Sequence, residues 1–166
     1  MEGPSYGHMG DHTETVQVDF DSGRITYAQL LEIFWNSHQP TSQSGSRQYI
    51  NAIFYHDDDQ RRLAMDSKLA VEQKNDGIIR TEVLPLRSFT MAEAYHQKYI
   101  LKQHVVLKGE MSRIYSQHRD FVASTAVARL NGYAGGNGTR DQLLRELETL
   151  GLSDQGKRII SEMVGR

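Results

Sequence analysis

Short apolar runs alternate with capped helical stretches through the first part of the chain and then cease, an order that allows few folds. Val16, Val18 and Phe20 alternate with Gln17 and Asp19, the period of a strand with one buried face. Asp21-Ser22-Gly23 turns the chain, and Thr26 with Gln29 predicts a capping box opening a helix that carries Leu30, Leu31, Ile33 and Phe34. Pro40 stops that helix, and Thr41 to Ser46 is a polar loop. Tyr49 to Tyr55 reads as a second strand, apolar enough to be central. Asp57-Asp58-Asp59 marks a helix start, followed at helical spacing by Leu63, Ala64, Leu69, Ala70 and Val71. Ile78 to Leu84 is a third strand, ended by Pro85, and Thr90 with Glu93 predicts another capping box ahead of Tyr95, His96, Tyr99 and Leu101.

From about Ser112 no strand pattern appears. A helix is expected from Phe121 to Leu130 and a glycine-rich connection from Asn131 to Gly138. Thr139 caps a helix through Leu143, Leu144, Leu147 and Leu150, with Gly151 just past its end, and Ser153 caps a last helix with Ile159, Ile160 and Met163. The reading is therefore an α/β fold, in two layers with a mixed sheet, over residues 1–110, and a helical extension over 111–166. Three strands are few against the usual four to six or so. That predicts an incomplete sheet, in which Ile53 and Phe54 are poorly covered.

Composition removes several function classes. The 166 residues contain no cysteine, which rules out disulfides, thiolate metal sites and a cysteine nucleophile within them. A formal net charge of −2 supplies no basic field for nucleic acid or anionic lipid. No apolar run approaches the roughly 18 residues of a membrane span, and the first residues lack the basic and apolar regions of a secretory signal. A cytoplasmic location is the expectation.

The residues able to do chemistry gather towards the start. Glu14 could act as a general acid if burial kept it protonated, the alternative being a solvent-facing strand residue. Tyr6 and Tyr49 could each donate a hydrogen bond to a developing oxyanion, although lone tyrosines are usually packing residues. His96 lies between aromatic residues, where a structural role is the commoner one. His8 and His12 have a spacing that suits a metal pair only on a helix, and Pro4, Gly7 and Gly10 argue for a loop, so no metal is expected. The glycine-rich Gly132 to Gly138 lacks the lysine of a phosphate loop, and no cofactor site is expected.

In order and spacing these residues resemble a known family. Pro4-Ser5-Tyr6, Gly10-Asp11-His12-Thr13-Glu14, Phe34-Trp35-Asn36-Ser37-His38-Gln39-Pro40-Thr41, Gln48-Tyr49, Ala52-Ile53-Phe54-Tyr55 and Tyr95-His96-Gln97-Lys98-Tyr99 form one series. It resembles the A-type peptide methionine sulfoxide reductases over about residues 4–101, and the tail resembles an extension found in one subgroup. The resemblance implies thiol-dependent reduction of free or peptide-bound methionine S-sulfoxide, repairing oxidative damage. It implies that Glu14, Tyr6 and Tyr49 serve the sulfoxide oxygen, and that the family's reductant is thioredoxin or dithiothreitol, with no other cofactor. The family's Gly-Cys-Phe-Trp motif has no counterpart here, and an aspartate common five residues before the second tyrosine is Ser44. The expectation is a member truncated at its N-terminus, without the strand and helix that carry the nucleophile. Such a chain would be inactive alone, with thioredoxin a doubtful partner. The alternative is a non-catalytic module that binds the sulfoxide or pairs its open sheet edge with another protein.

Overall fold

The structure, a computed structural model, describes residues 12–164. The chain divides into two compact units, Met1–Met91 and Ala92–Arg166. The first is mixed α/β and the second is helical, so the expected fold class is the one found.

In the first unit, helix α1 (Tyr27–Asn36) opens as its sequence predicts. The Thr26 hydroxyl accepts the Gln29 N–H at 3.2 Å, and the Gln29 side chain accepts the Thr26 N–H at 2.8 Å. A single turn at Arg47–Tyr49 leads into strand β1 (Ala52–Tyr55). Helix α2 (Asp58–Glu72) begins with the Asp57 carboxylate accepting the Gln60 N–H at 2.8 Å, and Asp58 and Asp59 lie in its positive first turn. Strand β2 (Glu82–Pro85) then pairs with β1 in parallel, Ala52 opposite Glu82 and Tyr55 opposite Pro85. Such a pair needs a crossover, and α2 supplies it. Leu31 and Trp35 from α1, Ile53 from β1, Ala64 from α2 and Ile79 form the buried core.

Several expectations in this unit are corrected. Residues 16–20 form no strand; Val16 is 86% exposed and Val18 also faces solvent, because no strand among the described residues pairs with them. Residues 49–51 and 78–81 fall outside the strands, leaving two strands of four residues rather than three longer ones. Ile53 is buried after all, because α1 and α2 both supply its cover; Phe54, on the opposite face, is half-buried.

The second unit holds α3 (Tyr99–Lys102), α4 (Val105–Ile114), α5 (His118–Ala123), α6 (Thr125–Ala134), α7 (Arg140–Glu146) and α8 (Asp154–Val164). Its core includes Leu101, Leu107, Met111, Val127, Leu130, Leu143 and Ile160. Helix α6 packs against α3, α5 and α8, and the Leu101 N–H donates to the Asn131 side chain at 3.0 Å. Leu101 and Leu107 therefore place residues 92–110 with the helical unit, whereas the sequence reading began the helical extension at 111. The Thr90–Glu93 box does not open a helix. The Glu93 carbonyl accepts the His96 N–H in a tight turn, and Lys98 has a left-handed backbone (φ 53°), so helix starts only at Tyr99. Helix α4 was not foreseen. The expected helix at 121–130 is two helices, because Ser124 leaves the helical conformation to cap α6. Helix α6 then runs to Ala134, shortening the glycine-rich connection. Thr139 and Ser153 cap helices where expected, but α7 ends at Glu146 rather than running through Leu150; a tighter 3-10 turn at Leu147–Thr149 leads on to the left-handed Gly151.

Buried Tyr133 donates to Glu146 at 2.9 Å. Burial, then the Glu146 hydrogen bond and charge, pushes the phenol pKa up to about 12. The unfolded chain gives up this proton near 10.0, so the contribution is intact below that pH and is lost as pH rises towards 12. Unfolding followed across this window should show a fall in stability that Tyr133→Phe reduces, the rest coming from Tyr27, whose phenol pKa is also raised, by burial and then by the Asp57 charge; an undiminished fall in the variant would assign it elsewhere.

Candidate functional site

The segment carrying Glu14 is held to the turn that carries Tyr49. The Glu14 N–H donates to the Gln48 carbonyl at 2.9 Å, and Gln48 Nε2 returns a bond to Glu14 Oε1 at 3.2 Å. The Thr13 hydroxyl donates to the Arg47 carbonyl at 3.0 Å. Arg47 in turn meets Glu82 at 3.4 Å, tying this turn to the head of β2. Glu14 is exposed and Tyr49 is 52% exposed, so both side chains face solvent. This is not the buried strand-end carboxyl that sequence reasoning considered for Glu14. Tyr6 and His8 lie outside the described residues.

The frame beneath this surface comes from the Phe34-Trp35…His38…Pro40 stretch. The Phe34 carbonyl can only accept, so His38 Nδ1, 2.9 Å away, carries the hydrogen. Its Nε2 faces the hydroxyl of fully buried Thr81 at 2.9 Å, and Lys68 donates to the Thr81 carbonyl at 2.9 Å. Trp35 Nε1 donates to the Ser67 hydroxyl at 2.9 Å, joining α1 to α2. The Pro40 carbonyl accepts the Arg80 N–H at 2.9 Å. These bonds anchor the end of α1 to the approach to β2.

Gln43, within the polar loop after Pro40, is a second clamp. Its Nε2 donates to the carbonyls of Asn51 and Arg80, both at 3.1 Å, and its Oε1 accepts from the N–H groups of Asn51 and Ser44. It joins the entrances of β1 and β2. No periodicity marks it, and its only signal is an amide with donors and acceptors to spare. In the sequence Gln48 stands out only through its Gln-Tyr pairing with Tyr49, whereas in the fold it is the residue that bonds Glu14.

An exposed carboxyl and an exposed phenol are thus carried on segments that Gln48 and Gln43 tie to one another and to the strand entrances. Such groups can donate to or accept from a polar ligand atom. Among the described residues no group of three or more His, Asp or Glu gathers to hold a metal ion. Among them, too, no helix is long and apolar enough to cross a membrane.

The family model for peptide methionine sulfoxide reductase matches residues 1–130. A peptide methionine sulfoxide reductase of Drosophila melanogaster is 39% identical over 152 residues, covering 90% of this chain and 61% of that protein. The MsrA protein of Methanococcoides burtonii is 44% identical over 105 residues, 59% of this chain and 68% of its own. An A5 protein of Arabidopsis thaliana is 38% identical over 138 residues, 79% of this chain and 53% of its own. The chain thus spans between about half and two thirds of the length of these relatives. A match over 90% of the chain must include residues beyond 130, so the fly protein shares part of the helical unit. Sequence motifs, fold and these matches agree: the chain belongs to the peptide methionine sulfoxide reductase family.

Proposed function

We propose that this chain carries the oxygen-recognising side of a methionine S-sulfoxide reductase and, as these 166 residues, does not turn over substrate. The observation that carries the reading is a family match over residues 1–130 in a sequence without a single cysteine. Reduction of a sulfoxide by thiolate attack on sulfur pushes charge onto oxygen, and positioned O–H donors lower that barrier. Tyr49, Glu14 and Tyr6 take the oxygen-side role. Gln48 supports it by fixing the Glu14 carboxylate beside the turn that bears Tyr49. Without a thiol there is no nucleophile, and no oxidised sulfur for thioredoxin to reduce; no thioredoxin partnership is proposed.

The oxygen-side assignment is open to direct test by NMR titration with a methionine sulfoxide peptide and with its unoxidised counterpart. Resonances of Glu14, Gln48 and Tyr49 should move with the sulfoxide and stay still with the thioether. Equal shifts in both titrations, or shifts confined to other residues, would remove these residues from the oxygen-side role.

A further inference from the structure

We propose that Asn137 is a site of spontaneous deamidation, imposed by the way helix α6 ends. The chain has two Asn-Gly pairs, Asn131-Gly132 and Asn137-Gly138, and the structure treats them differently. At the second pair both residues are exposed, and Gly138 has φ 85°. A Cβ there would lie 2.7 Å from Cε1 of the buried Tyr133 ring, so only glycine fits. Asn137 is also needed for its amide. Its side chain donates to the carbonyls of Gly132 at 3.3 Å and Gly135 at 3.4 Å, and its N–H to Gly132 at 2.9 Å, satisfying groups at the helix end. The fold thus requires an asparagine followed by a glycine on an exposed turn.

The reaction needs only water. The Gly138 amide nitrogen, after losing its proton to solvent base, attacks Asn137 Cγ. The new N–C bond forms as the Cγ–Nδ2 bond breaks and ammonia leaves. Water then opens the resulting succinimide at either carbonyl, giving aspartate or iso-aspartate. Among the described residues nothing accepts from the Gly138 N–H, so the nucleophile is unengaged. At Asn131 the situation is opposite: the pair lies inside α6, the next N–H belongs to the helix ladder, and the side-chain oxygen accepts from Leu101. At Asn36 the following Ser37 N–H is bonded to the Phe34 carbonyl at 3.1 Å. Conversion of Asn137 would replace a donor by a carboxylate against the negative end of α6.

The experiment is incubation of the folded chain and of the urea-unfolded chain in mildly alkaline buffer, with fragment-ion mapping of each asparagine. In the unfolded chain both Asn-Gly pairs should convert at similar rates. In the folded chain Asn137 should convert to a mixture of aspartate and iso-aspartate while Asn131 and Asn36 keep their amides. Retention of the Asn137 amide in the folded chain, or conversion of folded Asn131 as fast as Asn137, would overturn the proposal.

Discussion

Trp35→Ala destabilises the first unit by about 3–5 kcal/mol, the usual cost of truncating a buried aromatic residue to alanine. The indole is 7% exposed, meets Phe34 edge-on at 5.4 Å between ring centres, and belongs to the small core of Leu31, Ile53, Ala64 and Ile79. It also donates to Ser67, whose hydroxyl donates onward to the Ala64 carbonyl at 2.7 Å. Domains are stable by only about 5–15 kcal/mol, so a loss of this size consumes much of the margin. Trp35→Phe keeps most of the apolar volume and loses the single hydrogen bond, and should cost about 1–2 kcal/mol. Urea unfolding followed by circular dichroism measures both, since neither variant has a tryptophan left to report. Equal midpoints for the two variants would show that the ring is not filling the core as described.

Ile160→Ala weakens the second unit by about 2–5 kcal/mol. Ile160 has no exposed surface, and helix α8 reaches α4, α6 and α7. Leu144→Ala is the contrasting substitution. Leu144 is 56% exposed although it lies in the same leucine-rich stretch as buried Leu143, and its loss should stay within about 0.5 kcal/mol. Thermal melts of the pair give the test. Similar losses for both would mean that α7 presents a different face to the core.

These contrasts show where the sequence was legible. Thr26 with Gln29, and Asp57 with Gln60, make bonds within one turn, so local spacing specifies them. Val16 and Val18 have equally clear spacing, but a strand exists only through a partner, and none is present among the described residues. Thr90 and Glu93 had the letters of a capping box and lost to a tight turn and the left-handed Lys98. The site divides in the same way. Glu14 and Tyr49 were found through a motif, while the clamps of Gln43 and Gln48 and the bond from His38 to Thr81, 43 residues apart, depend on tertiary contacts that spacing cannot encode.

The central proposal is that these 166 residues keep the oxygen side of the family's chemistry and lack its nucleophile. The most direct measurement is turnover of a methionine S-sulfoxide peptide by the purified 166-residue chain with dithiothreitol in excess. The account predicts no product above the rate with dithiothreitol alone. Enzyme-dependent formation of methionine, proportional to the amount of chain added, would contradict it.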